Sequence, residues 1–222
     1  MRVWSLVSQK GGSGKTTLAI NLAIAAQLKG DAVSIIDLDP QRSAEQWAEM
    51  RENRTSNEEP TVVHGTPTSL DAMLASARQT STDLVLIDTP PAVDRSMIYA
   101  AAAADLVIVP TRADVFDEFS LIETLDYLKR IGCLHKTVAV LNAPSKDKAG
   151  VEKVRKIATE TFNARLLPLT VENQPELAIA LRDGRSIVET APKKAAAKIV
   201  QKVFKELMAI DELLAKTARM SA

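Results

Sequence analysis

Ser8-Gln9-Lys10-Gly11-Gly12-Ser13-Gly14-Lys15-Thr16-Thr17 lies between an apolar run, Arg2-Val3-Trp4-Ser5-Leu6-Val7, and an Ala- and Leu-rich stretch from Thr16 to Lys29. The run reads as a short buried strand and the stretch as a helix, so the glycines occupy a strand-to-helix turn. Glycine tolerates positive φ and lets backbone amides approach phosphate oxygens, while the helix N-terminus adds unpaired N–H groups and a dipole that favours an anion. In such a turn Lys15 reaches the β- and γ-phosphates, and Thr16 offers its hydroxyl to Mg²⁺. A glycine-rich turn without this chemistry is the alternative. Loop, lysines, hydroxyl and strand–helix context together weigh against it.

Working outward, 222 residues, 46% of them hydrophobic, suffice for one sizeable α/β domain, and a single domain over 1–222 is expected. Strands are predicted at 2–8, 32–37, 61–64, 83–88, 105–110, 136–142 and 164–168. Helices are predicted at 16–29, 42–52, 67–79, 95–103, 115–131, 147–162, 174–182 and about 192–217. This alternation predicts an α/β fold, a doubly wound and mainly parallel sheet flanked by helices, of the P-loop NTPase kind. The 28 basic and 28 acidic residues balance, so any nucleic acid or membrane contact must use a local patch. Cys133 is the single cysteine, which excludes intrachain disulfides and multi-cysteine clusters and fits a reducing cytoplasm. The first residues enter a strand and then the phosphate loop, unlike a signal peptide, and no apolar run approaches membrane-spanning length.

Two acidic constellations follow the loop. In Ile35-Ile36-Asp37-Leu38-Asp39-Pro40-Gln41-Arg42, an apolar strand ends in carboxylates one residue apart, which share a direction while the strand persists. The C-terminal end of a parallel strand is where such folds meet ligand, although helix capping would use the same residue types. In Leu84-Val85-Leu86-Ile87-Asp88-Thr89-Pro90-Pro91, a buried strand delivers Asp88 in a Walker B arrangement, to act on Mg²⁺ mainly through a bound water.

The loop departs from G-x-x-x-x-G-K-[ST], because Gln9 stands where the first glycine belongs. With its early lysine, Lys10-Gly11-Gly12-Ser13-Gly14-Lys15-Thr16-Thr17 resembles the deviant Walker A motif of the ParA/MinD superfamily. That resemblance implies that Lys10 crosses to the partner's phosphates in a nucleotide-sandwich homodimer, and that Gly11, Gly12, Ser13, Gly14 and Thr17 help bind ATP. The stretch around Asp37 resembles the D-x-D-P-Q switch of ParA proteins, which implies that Asp39 orients the attacking water and Asp37 supports Mg²⁺ or its water shell. By the same resemblance, Thr89-Pro90-Pro91 is the loop that feels the γ-phosphate, and the helix beginning at Asp114 to Phe119 faces the dimer partner. Asn142, ending Val138-Ala139-Val140-Leu141-Asn142, is where relatives contact the adenine amino group, although a strand-end asparagine is also a common turn residue. Leu167 to Thr170 and Asp183 to Glu189 resemble the C-terminal half of small plasmid ParA proteins of the ParF type.

Between residues 182 and 205, seven basic residues, Arg182, Arg185, Lys193, Lys194, Lys198, Lys202 and Lys205, face two acidic ones, Asp183 and Glu189. Lys194, Lys198, Lys202 and Lys205 recur at helical spacing, opposite Ile199, Val203, Phe204 and Leu207. Such a stripe can neutralise DNA phosphates without reading bases, and it can equally be a solvated helix face. The resemblance favours DNA. His64 and His135 lack ligand spacing and read as structural or surface residues. Trp4 and Trp47 are expected to pack, one by the first strand and one on the helix after the acidic pair.

The expectation is therefore a cytoplasmic, nucleoid-associated, Mg²⁺-dependent ATPase that dimerises on ATP, binds DNA without sequence preference and partitions a plasmid. A ParB-like centromere-binding partner would stimulate its hydrolysis. A MinD-like membrane regulator would instead need a bulky apolar C-terminal membrane helix, which Ile210-Asp211-Glu212-Leu213-Leu214 and the tail to Ala222 do not supply. An ATP-dependent ligase on the same fold would need a second reactive constellation, and none is evident.

Overall fold

A computed structural model describes residues 1–56, 59–113, 115–142, 148–171 and 175–220. Strands β1 (Arg2–Leu6), β2 (Val33–Asp37), β3 (Thr61–His64), β4 (Leu84–Asp88), β5 (Leu106–Thr111), β6 (Thr137–Asn142) and β7 (Arg165–Val171) form one sheet in the order β3-β2-β4-β1-β5-β6-β7. Every neighbouring pair is parallel. The helices are α1 (Lys15–Gln27), α2 (Ser43–Thr55), α3 (Leu70–Gln79), α4 (Arg95–Ala103), α5 (Val115–Arg130), α6 (Lys148–Lys156), α7 (Pro175–Arg182), α8 (Ile187–Thr190) and α9 (Ala195–Met220).

Strand alternation explains the two layers. Trp4, Leu6, Ile35, Leu84 and Leu86 point to one face, where α1, α2, α7, α8 and α9 bury Leu22, Trp47, Leu177, Val188 and Phe204. Val3, Val7, Ile36, Val85 and Ile87 point to the other, against Leu74 of α3, Met97 of α4, Leu125 of α5 and Val154 of α6. Both faces of a parallel sheet are covered by its crossover helices, which is why its strands read as nearly continuous apolar runs. Trp4 and Phe204 meet with ring centroids 5.8 Å apart. Phe204→Ala should cost about 3–5 kcal/mol, read as a lowered urea midpoint at unchanged slope.

Every predicted strand is present, with the seventh reaching Val171 rather than 168. The predicted helix at 67–79 starts with a 3₁₀ turn over Pro67–Ser69, and the one ending at 162 finishes in a π-helical turn, Ile157–Thr161. Asp114, Asp147 and Gln174, each placed in a predicted helix, lie outside the described residues. Helix α8 was not predicted. Its signal was nonetheless in the sequence: Ser186 and Glu189 form a capping box, the S-x-x-E signature of a helix start. Among the described residues, no helix is long and apolar enough to cross a membrane.

Candidate nucleotide site

The loop after β1 opens at the C-terminal edge of the sheet, where chain connections run to β2 on one side and β5 on the other, the place at which α/β sheets bind ligands. Gly14 precedes α1 at φ 94°, a left-handed conformation. A Cβ there would fall 1.9 Å from Asn142 Nδ2, so both backbone and space require glycine. Asn142 Nδ2 donates to the Ser13 carbonyl at 2.8 Å. Its amide thus braces the loop from the end of β6, and Gly14 and Asn142 are direct neighbours.

The two lysines diverge. Lys15 is 6% exposed, and its Nζ lies 3.4 Å from the carbonyls of Ser8 and of Lys10, inside the loop. Burial lowers its pKa, and the nearby Asp88 and Asp39 carboxylates oppose that shift. Lys10 instead turns toward α5, where its Nζ pairs with Asp117 Oδ2 at 2.6 Å and lies 5.9 Å from the Phe116 ring centroid. Asp117 is buried, while Phe116 is 77% exposed beside it and Phe119, on the same helix, is 64% exposed. Sequence reasoning did not single out Asp117. It stands 107 residues from Lys10, and nothing in Asp117-Glu118 distinguishes it from an ordinary helix-start acid.

The predicted acids converge from adjacent strands. Asp37 and Asp88 are register partners at the ends of β2 and β4. Asp88 is fully buried; its Oδ2 accepts from the Thr16 hydroxyl at 2.5 Å, and among the described residues its Oδ1 has no hydrogen-bond partner. Burial pushes its pKa up to about 7, with the Thr16 hydrogen bond opposing and the Asp37 and Asp39 charges adding to the rise. A hydroxyl and a buried, partly unpartnered carboxylate are the hard oxygen donors Mg²⁺ prefers, so these residues fit that ion.

Asp37 is also buried, but both its oxygens serve the backbone. Oδ1 accepts from Asp39 N at 2.9 Å, and Oδ2 from Ala44 N at 2.9 Å and Glu45 N at 3.4 Å. Burial raises its pKa, against those amide bonds. Asp37 therefore starts α2 and places Asp39, whose half-buried carboxylate accepts from Gln41 N at 2.9 Å. The hydrogen bonds of this acidic pair are thus those of a helix-starting turn. Thr89 donates its hydroxyl to the Leu6 carbonyl at 2.8 Å, tying the loop after β4 to β1. Thr17 lies half-buried on the first turn of α1, and Gly11 and Gly12 are exposed at the loop tip.

The basic residues of the C-terminal stretch are exposed. Arg182 closes α7, Arg185 sits in the following turn, and Lys198, Lys202 and Lys205 lie exposed along α9, opposite the buried Val200, Val203, Phe204 and Leu207. Ile199 is only half-buried. Lys194 pairs with Glu176 at 3.1 Å on the surface. His64 ends β3 as the register partner of Asp37, and the exposed His135 contacts the Gly132 carbonyl through Nδ1 at 2.9 Å.

Comparison with known proteins agrees with this fold. Chromosome-partitioning ATPase Soj of Thermus thermophilus is 29% identical over 241 aligned positions, covering 92% of this chain and 94% of that protein. Maintenance of carboxysome distribution protein A of Gloeobacter kilaueensis is 38% identical over 129 positions, an alignment spanning 56% of this chain and 55% of that protein. The cell division protein MinD of Aquifex aeolicus superposes with a TM-score of 0.75 at 17% identity, over 94% of this chain and 98% of that one, a likeness of fold. The sequence profile of the CobQ/CobB/MinD/ParA nucleotide binding domain matches residues 4–187, from the first strand through the turn that opens α8, and the chain belongs to that family.

Proposed function

We propose that this protein is a ParA-type partition ATPase that cycles between an ADP-bound monomer and an ATP-bound dimer carried on DNA. The observation that carries the reading is the divergence of the two loop lysines. Lys15 turns inward to its own cradle, whereas Lys10 leaves it for the α5 side, where an exposed aromatic residue borders the loop. A lysine oriented away from its own phosphates is available to a second copy's. In that dimer the loop amides, Lys15 and Thr17 would hold the ATP phosphates, Thr16 and Asp88 would hold Mg²⁺, and Asn142 would brace the loop. Mg²⁺, when bound, neutralises charge on the β- and γ-phosphates. Asp39, carried on the turn that Asp37 caps, orients the attacking water. Phosphoryl transfer asks the protein chiefly for positioning and charge, which is what these groups supply.

The DNA part of the reading rests on the exposed row of Lys198, Lys202 and Lys205 along α9, together with the exposed Arg182 and Arg185. Replacing Lys198 and Lys202 with Glu should lower DNA affinity at least about tenfold at 0.1 M salt on every sequence, and shrink the slope of log K against log salt by about two. Fluorescence anisotropy on unrelated duplexes checks this. Loss confined to one operator would indicate base readout. A ParB-like centromere-binding protein is the partner expected to accelerate hydrolysis, and a plasmid the cargo.

The deciding experiment is sedimentation with ADP, ATP or a non-hydrolysable analogue, in the presence of DNA or of anionic liposomes. ATP-dependent dimers on DNA support partition. ATP-dependent dimers on liposomes alone would replace this reading with membrane-bound positioning.

A further inference from the structure

Beneath the nucleotide site, a chain of buried and half-buried polar side chains joins α1 and α2 to the turn that carries Arg185. Asn21, on the phosphate-loop helix, donates to the Thr17 carbonyl at 2.8 Å, and its Oδ1 accepts from the Ser186 hydroxyl at 2.7 Å. Ser186 caps α8: its Oγ accepts from Val188 N at 3.2 Å, while its own amide donates to Glu189 Oε1 at 3.3 Å. Glu189 then receives both Arg51 terminal nitrogens, at 2.8 and 3.1 Å. Arg51 is 4% exposed, donates from Nη1 to the Gly184 carbonyl at 3.0 Å and lies over the Trp47 ring at 5.4 Å.

The backbones touch as well. Gly184 sits at φ 65°, and a Cβ there would fall 2.5 Å from the Arg51 N and Cα atoms. Helix α2 therefore rests directly on the turn between Arg182 and Arg185, while its other end hangs on Asp37.

We infer that α8 is the junction through which nucleotide-dependent movement of α1 and α2 reaches the basic residues from Arg182 to Lys202, with Arg51 and Glu189 as its positioning residues. A bidentate guanidinium–carboxylate pair fixes direction as well as distance, and stranding the buried Arg51 guanidinium is costly, so α8 follows α2 rather than slipping past it. Both halves of the nucleotide site bear on this packed element: the phosphate helix through Asn21 and Ser186, the acidic turn through α2 and Arg51. What the basic residues touch rests on the DNA-binding reading above. The movement itself does not need DNA to be seen.

Arg51→Met with Glu189→Leu removes both charges while keeping apolar volume, a replacement that buried pairs tolerate. Hydrogen exchange of the full chain is compared with ADP and with a non-hydrolysable ATP analogue. In the unmodified protein the analogue should change exchange over 182–194 by about tenfold, a typical coupling between sites. In the double variant that response should vanish, while fluorescent-nucleotide affinity and analogue-dependent sedimentation stay within about twofold of the unmodified protein. A response retained in the variant, or absent from the unmodified chain, overturns the junction. Should the double variant lose its cooperative melt, Ser186→Ala, which cuts the link to α1, decides by the same readout. DNA affinity separates the two readings. A junction that works should bring the variant's ATP-to-ADP affinity ratio toward one. An exchange response with no DNA binding by the unmodified chain leaves the junction standing and removes the DNA assignment.

Discussion

Lys10→Ala is expected to bind ATP as a monomer with nearly unchanged affinity and to form no dimer with it, whereas Lys15→Ala is expected to lose ATP binding itself. The contrast follows from where the two ammonium groups sit. Lys15 is enclosed in the loop, its charge disfavoured by burial until phosphates arrive. Removing it deletes charge-assisted contacts worth about 1.5–3 kcal/mol each, so a loss of affinity on the order of a hundredfold or more is expected. Lys10 is held by Asp117 of α5 and contributes little to its own cradle. Leaving Asp117 takes the ammonium from a buried carboxylate, a cost that the new pairing with a partner's phosphates must offset, so the lysine is expected to move only when that partner is bound. Equilibrium nucleotide titration and sedimentation velocity with ATP separate the two effects, and Lys10→Ala dimers as stable as those of the unmodified chain would sink the assignment of the loop.

The second large effect is expected at Asp39. Its alanine variant should hydrolyse ATP about 10²–10⁴-fold more slowly, the usual size of a positioned acid–base contribution, while still dimerising and still binding DNA. Removing the Asp39 side chain gives up its bond from Gln41 N, while the Asp39 amide still bonds to Asp37, so most of the turn's contacts remain. Phosphate release measured beside sedimentation tests this directly: slow turnover with persistent dimers supports the water-orienting role, and unchanged turnover removes Asp39 from the chemistry. Asp37 is no substitute as a test, because its oxygens hold the start of α2 and its loss would disturb the helix.

Sequence periodicity carried most of the architecture. The buried strands are apolar at nearly every position, the parallel-sheet signature, and the glycine loop sits between a strand and a helix as its composition demands. The acids at 37 and 88 were legible because each ends an apolar run. What pairing those strands would do to them was not: only the register shows Asp37 abreast of Asp88, with Asp88 desolvated. Asp117, Arg51 and Asn21 were invisible for a related reason. Each is polar within a helix, where a solvated residue is the ordinary case, and its role appears only when an element distant in the chain folds over it. The Ser186–Glu189 signature is legible in the sequence, but the four-residue helix it starts is too short to show a helical period.

The contact between Gly14 and Asn142 also constrains how this chain can change by descent. A side chain acquired at position 14 would collide with the Asn142 amide, so position 142 would have to shrink first. That first step gives up the hydrogen bond to the Ser13 carbonyl and so weakens the loop before any benefit at position 14 could be realised. Even then, the left-handed backbone at Gly14 still penalises the newcomer. Each single step is unfavourable and the pair together is hardly better, so the two positions are expected to stay locked in any lineage that keeps this loop.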